Sequence, residues 1–115
     1  MELSTEDTKL VTLARATRAR IQAAEGAAVR DLDGRTYAAA TVELQSLQLS
    51  ALQVCAAMAV ASGSRGLVAA ALLGEAGVLT EADRALLAEL GDDVVVHLGD
   101  LRGTVLHTVT SAPTS

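Results

Sequence analysis

Apolar and polar positions recur along this chain with two periods, one typical of helices and the other typical of strands. A first helix is predicted over about residues 5–23, because apolar side chains recur there every three to four positions. Ser50 with Gln53, and Thr80 with Asp83, have the three-residue spacing of a reciprocal helix cap. These caps precede apolar stretches that end at glycines and predict two further helices, over residues 51–62 and 80–90.

The segments between these helices have the patterns of strands. Residues 26–30 and 36–43 flank an Asp-Gly pair, which is typical of a hairpin turn, so they are predicted to pair antiparallel. The continuous apolar run 67–73 indicates a strand buried on both faces, residues 93–98 indicate a second strand of the buried type, and residues 104–110 alternate as an edge strand would. The order αββαβαβ(β) predicts an α/β fold with helices on both faces of a mixed sheet.

The predicted domain organisation is simple. Residues 1–110 form one domain, because a chain of 115 residues has room for one core, and residues 111–115 form a polar tail that frays. The helix over residues 51–62 is apolar around its whole circumference, so it has to be covered on all sides. A small domain covers such a helix with difficulty. The protein is therefore expected to be a homo-oligomer, a dimer or a tetramer, with this helix near the contact.

Composition limits the partners and the compartment. Nine basic against fourteen acidic residues leave a formal net charge of −5, which disfavours nucleic acids and acidic membrane surfaces as partners. The single cysteine, Cys55, cannot form an internal disulfide, and residues 1–7 lack the pattern of a secretory signal. The expected location is therefore the cytoplasm.

Few residues are suited to carry chemistry. Cys55, His97 and His107 have the right ligand types for zinc, but no two of them are closely spaced in the sequence, so structural roles are expected for all three. Cys55 lies amid apolar residues, where a thiolate is disfavoured, which indicates an inert buried thiol. The glycines follow neither the GxGxxG nor the GxxxxGK[ST] pattern of a phosphate-binding loop.

Four short segments of the chain resemble the cytidine deaminase family. They are residues 25–30 (EGAAVR), 33–37 (DGRTY), 41–43 (TVE) and 59–63 (AVASG). The family shows VGAAL, a DG turn, NVEN and a helix end similar to AVSEG. The resemblance runs over about residues 6–98 and implies the three-layer α/β/α fold of that family.

The family's chemistry depends on motifs that this chain lacks. The family holds zinc with a C/H-A-E motif and a P-C-x-x-C motif at two helix N-termini, and the glutamate of the first motif moves protons. Counting from Glu43, the resemblance puts Leu52 at the first ligand position and Val54 at the proton-moving position. Matching RALLAE with the family's RQVLAE puts Thr80 and Asp83 at the two cysteine positions.

A second register makes Cys55 a ligand, but it puts Ala57 where the glutamate is needed. The resemblance therefore implies neither a zinc cofactor nor a catalytic residue. The family's sugar-contacting motif is also reduced, since Thr41 replaces its first residue and only Glu43 keeps its identity. Glu43 can contact a sugar hydroxyl or simply end the second strand in a polar network.

Three functions are consistent with these residues. The first is a catalytically inactive member of the family that acts as a self-associating structural or interaction module. The second is a nucleoside or nucleotide sensor that binds its ligand in a remnant pocket near Glu43 and Thr41. The third is an active hydrolase, which would need a complete zinc ligand set and a proton-moving group that neither register supplies.

Overall fold

A computed structural model describes residues 3–112 and folds them around a five-stranded sheet. The helices are α1 (Thr5–Ile21), α2 (Ala51–Ala61) and α3 (Glu81–Leu90). The strands are β1 (Glu25–Asp31), β2 (Thr36–Ala40), β3 (Val42–Glu43), β4 (Gln48–Leu49), β5 (Leu67–Gly74), β6 (Val95–Gly99) and β7 (Val105–Thr110). The sheet has the order β2-β1-β5-β6-β7. Among the strands of residues 3–112, only β5 and β6 pair in parallel, so the predicted mixed sheet is confirmed.

The helices cover the two faces of this sheet and give the predicted three layers. On one face α1 buries Leu10, Val11 and Ala14 against small side chains of β1 and β5. On the other face α2 and α3 pack on a larger core that includes Leu52 and Leu87. Small side chains allow close packing. A Cβ at Gly26 of β1, for example, would collide with the backbone of α1.

The predicted hairpin between β1 and β2 is confirmed, and Asp31 holds its turn. The Oδ1 atom of Asp31 accepts hydrogen bonds from the backbone amides of Asp33 and Arg35, each 2.9 Å long. Gly34 has a φ of +85°, which favours glycine. This turn sets a register in which Gly26 lies opposite Ala40.

The second strand is shorter than predicted. It ends at Ala40 instead of Glu43, because the chain leaves the sheet at Thr41. Residues 42–43 then pair with residues 48–49 in a separate two-stranded hairpin, β3–β4. The apolar pattern does not reveal this break, because both segments have the composition of a strand.

One further prediction is left open, and another needs correction. Within one subunit α2 is covered on one side: Leu52 and Cys55 are buried, whereas Ala57 is exposed and Val60 is 54% exposed, so full coverage of this helix would require a second subunit. The correction concerns the C-terminal tail, which does not begin at Ser111. That residue is buried, and its hydroxyl accepts a 2.9 Å bond from the Val94 amide. The rest of the predicted tail, residues 113–115, lies outside the described residues.

The prediction for the last strand also has a clear outcome. Strand β7 lies at the edge of the sheet beside β6, as its alternating pattern predicted. Within residues 3–112, none of the helices combines the length and the hydropathy needed to cross a membrane.

Candidate functional site

The N-termini of α2 and α3 meet, and one side-chain hydrogen bond joins them. The Ser50 hydroxyl caps α2 by accepting a 3.1 Å bond from the Gln53 amide, and the Gln53 side chain accepts a 2.8 Å bond from the Ser50 amide. The capping box predicted for α2 is therefore confirmed. The same Ser50 hydroxyl donates a 2.7 Å bond to Asp83 Oδ1 in the first turn of α3.

One of the two side-chain hydrogen bonds predicted for the cap of α3 is present in the structure. Thr80 Oγ1 accepts a 3.1 Å bond from the Asp83 amide, so Thr80 is the N-cap. The capping box also predicts that the Asp83 side chain accepts a bond from the Thr80 amide. That prediction is wrong, because the carboxylate accepts from Ser50 instead. Asp83 is only 2% exposed. A buried carboxylate needs hydrogen-bond partners, and Ser50 supplies one across the gap between the two helices.

The other two positions that the resemblance singled out carry hydrocarbon side chains. Leu52 is fully buried in the core between α2 and the sheet. Val54 is partly buried and packs against the same core. Neither side chain has an atom that can coordinate a metal or carry a proton. Because Thr80 is occupied as a cap and the Asp83 carboxylate accepts from Ser50, the residues at these four positions do not fit a zinc ion.

A groove of about 690 Å³ opens beside this junction. Its walls come from the start of β1, the β3–β4 hairpin and the N-cap of α2, and its lining includes Glu25, Thr41, Glu43, Gln48 and Ser50. The structure thus brings together Thr41 and Glu43, the two predicted ligand-binding residues. Glu43 is exposed on β3 and is paired with Gln48 in the small hairpin.

Thr41 is committed to the backbone of Glu25. Its hydroxyl accepts a 2.8 Å bond from the Glu25 amide and lies 3.3 Å from the Glu25 carbonyl oxygen, to which it donates. The Thr41 amide also donates to that carbonyl, at 3.2 Å. Thr41 therefore fixes the start of β1 at the wall of the groove.

Glu25 is the groove residue that the sequence reasoning missed. Burial raises the pKa of its carboxyl, a backbone hydrogen bond from Ala51 at the start of α2 opposes this rise, and the charge of Asp83 adds to it. The register of the first hairpin is the sequence signal that points to Glu25. The register that puts Gly26 opposite Ala40 also puts Glu25 opposite Thr41, which the resemblance predicts to contact a ligand.

The zinc alternative built from Cys55, His97 and His107 is not supported. Cys55 lies on the buried side of α2, in the core, and burial raises the pKa of its thiol to about 12. His97 bonds to Asp7 of α1 on the other side of the sheet, and His107 is exposed on the edge strand. Among residues 3–112 there is no group of three or more His, Cys, Asp or Glu side chains placed to hold a metal ion.

A second polar cluster lies under the start of α1. His97 Nε2 is 2.7 Å from Asp7 Oδ2, and its Nδ1 is 3.0 Å from Thr108 Oγ1. Arg30 donates a 2.9 Å bond to Asp7 Oδ1. Burial alone would raise the pKa of Asp7, but the hydrogen bonds from His97 and Arg30 outweigh it and lower that pKa. The cluster fastens α1 to β1, β6 and β7.

This chain and its structure are similar to those of known proteins. A family profile described as "Cytidine deaminase-like" matches residues 3–103. The structure is similar to cytidine deaminase from Burkholderia pseudomallei, with a TM-score of 0.80, 24% identity and coverage of 95% of this chain and 94% of that one. Cytidine deaminase from Mycobacterium leprae gives a TM-score of 0.72, 24% identity and 95% coverage of both chains.

More distant relatives share the same fold. Cytidine deaminase from Bacillus anthracis is 15% identical, with a TM-score of 0.69 over 94% of this chain and 84% of that one. The search of curated proteins returned no match. The family profile spans most of the chain, and the structural similarities cover nearly all of it. The chain therefore belongs to the cytidine deaminase-like family.

Proposed function

We propose that this protein is a catalytically inactive member of its family, a pseudoenzyme that acts as a self-associating structural or interaction module. The bond between Ser50 and Asp83 carries the first half of this proposal. It joins the two helix N-termini through a hydroxyl and a carboxylate, at the place where the family resemblance locates a metal. Each helix end then has its cap supplied by its own chain.

The side chains around this bond support the loss of activity. Leu52 is fully buried among hydrocarbon neighbours and cannot act as a ligand. The Thr80 hydroxyl accepts from a backbone amide, and Asp83 accepts from Ser50. Deamination needs an activated water and a group that transfers its proton. Val54, at the position that the resemblance gives to that group, has no proton to transfer.

A turnover assay tests this half of the proposal. Purified protein at micromolar concentration is incubated with cytidine, and uridine is measured by chromatography. We expect no uridine above that formed in buffer. Uridine formation that rises with protein concentration and disappears in Asp83→Ala would contradict the proposal, because it would show that the junction is catalytic.

The outer surface of α2 supports self-association. Ala57 is exposed and Val60 is 54% exposed, and together with Leu86 and Leu90 of α3 they line an apolar groove of about 380 Å³. The chain has no charged residue between Glu43 and Arg65. A second copy that covered this surface would remove exposed apolar area from water.

The cytoplasm is the proposed location. A reducing compartment suits the lone Cys55, which has no second cysteine in the chain to form a disulfide with.

The mass of the protein in solution tests self-association. Light scattering on a sizing column should give a dimer or a tetramer at micromolar concentration. Ala57→Glu should reduce the mass to that of a monomer without unfolding the chain, because Ala57 is exposed within one subunit. The matched control is Ala16→Glu, the same change on the exposed side of α1. A monomeric wild type would contradict this part of the proposal.

A second function, a nucleoside or nucleotide sensor, is favoured by the groove itself. The groove of about 690 Å³ has the volume of a small-molecule site, and Glu43 and Thr41 lie in its lining. A ligand that binds only the folded protein raises its melting temperature. A thermal-shift screen with nucleosides and their monophosphates therefore tests this function. A melting temperature unchanged by every compound would contradict it.

A further inference from the structure

Two cavities meet at Glu25. The groove beside Ser50, of about 690 Å³, and a second cavity of about 610 Å³ share Glu25, Thr41 and Glu43 in their linings. The second cavity continues toward Arg18 of α1 and Glu75, which follows β5. A ligand that extends from one cavity into the other would cross the boundary that Glu25 lines together with Thr41 and Glu43.

Glu25 is held in place from two sides. Its backbone is fixed by the Thr41 hydroxyl and amide at 2.8 and 3.2 Å, and its carboxylate interacts with the first backbone amide of α2, at Ala51. A carboxylate offers only acceptor atoms when it is ionised. Its position is therefore set before a ligand arrives, and such preorganised groups discriminate between ligands more strongly than mobile ones.

The charges around this junction are mainly negative. Glu25 and Glu43 line both cavities, Glu75 lines the second, and Asp83 lies behind Ser50. Among the described residues that line the two cavities, the basic one is Arg18, and its Nε already donates a 2.7 Å bond to the Ala23 carbonyl oxygen. Glu25 is less exposed than Glu43, so water and salt screen its charge less.

We infer that Glu25 determines the charge of the ligand that the two cavities accept. It accepts a hydrogen bond from a hydroxyl or amino group of an uncharged or cationic ligand, and it repels a phosphate. This inference rests on the sensor function proposed above and goes beyond it, because it assigns selectivity to one residue outside the motifs of the family resemblance.

Equilibrium binding of two matched ligands tests the inference. Cytidine and cytidine 5′-monophosphate are titrated by calorimetry into the wild type, Glu25→Gln and Glu81→Gln. We expect the wild type to bind cytidine about ten-fold more tightly than the monophosphate, and Glu25→Gln to reduce this ratio to about three-fold or less. Glu81→Gln removes one charge at an exposed position outside both cavities and should keep the wild-type ratio.

Salt provides a measurement that does not depend on a variant. In the wild type, the affinity for the monophosphate should rise as the NaCl concentration increases, because salt screens the repulsion, while the affinity for cytidine stays constant. A ratio that is the same in Glu25→Gln and the wild type, or a monophosphate affinity that falls with salt, would overturn the role of Glu25 alone. If no protein binds either ligand, the sensor function fails and this inference fails with it.

Discussion

Ser50 Oγ and Asp83 Oδ1 lie 2.7 Å apart and connect the first turns of α2 and α3. The two residues are 33 positions apart in the sequence, and each also takes part in the cap of its own helix. A hydrogen bond to a charged acceptor is stronger than one between neutral groups. The bond therefore stabilises a junction that corresponds, by the resemblance, to the place where the family holds its zinc.

The energy of this bond can be measured with a double-mutant cycle. Ser50→Ala, Asp83→Ala and the double variant should show a coupling free energy of about 1–3 kcal/mol, the usual range for a hydrogen bond to a charged group. Unfolding in urea supplies the free energies. Ser50→Ala combined with Ser4→Ala, which removes the distant cap of α1, is the additive control. Additivity of Ser50→Ala and Asp83→Ala would mean that the bond contributes nothing.

Thr80 should act as a cap and nothing more. Thr80→Ala is expected to lower the free energy of unfolding by about 1 kcal/mol, because the Asp83 amide loses its acceptor. Thr80→Ser keeps the hydroxyl and should restore most of the stability. An unchanged denaturation midpoint in Thr80→Ala, together with the loss of binding of a ligand or a metal, would show that position 80 is functional.

Asp7 makes the stability of the fold depend on pH in the acid range. Its pKa is lowered from an ordinary value of 3.8, so its contribution is present above that value and is lost as the pH falls through the lower folded value. The gap in unfolding free energy between wild type and Asp7→Asn should therefore close below pH 3.8. Asp92→Asn, at an exposed position, is the control. A gap that stays equally large at the lowest pH would contradict this assignment.

The thiol of Cys55 should be inert in the folded protein. Burial raises its pKa to about 12, so almost none of it is thiolate at pH 8. Ellman's reagent should label the native protein only at the rate of unfolding, whereas protein in urea should react at once. Rapid labelling of one thiol per native chain would show that Cys55 is accessible and that α2 is packed differently.

The larger elements could be predicted from sequence because local chemistry specifies them. The Asp-Gly turn at Asp33–Gly34 fixes the first hairpin, and Ser50 with Gln53 fixes the start of α2. The break after Ala40 could not be predicted, because residues 42–43 pair with residues 48–49 instead of continuing along β1, and their composition suits either pairing.

The candidate site was predicted less completely, and for the same reason. The resemblance predicts a ligand-binding role for Glu43 and Thr41, which stays a prediction, whereas the role of Asp83 depends on a partner from another helix. Its spacing from Thr80 is that of a capping box, and only the packing of α2 against α3 brings Ser50 close enough to compete for the carboxylate. A local pattern describes the options of a side chain, and tertiary packing decides among them.

The zinc content of the purified protein tests the central claim most directly. Protein prepared without chelators, in medium supplemented with zinc, is analysed by inductively coupled plasma mass spectrometry. The account predicts far less than one zinc atom per chain, because Leu52, Thr80 and Asp83 supply no usable ligand set. One zinc atom per chain, lost in Asp83→Ala but retained in Glu81→Ala, would contradict it.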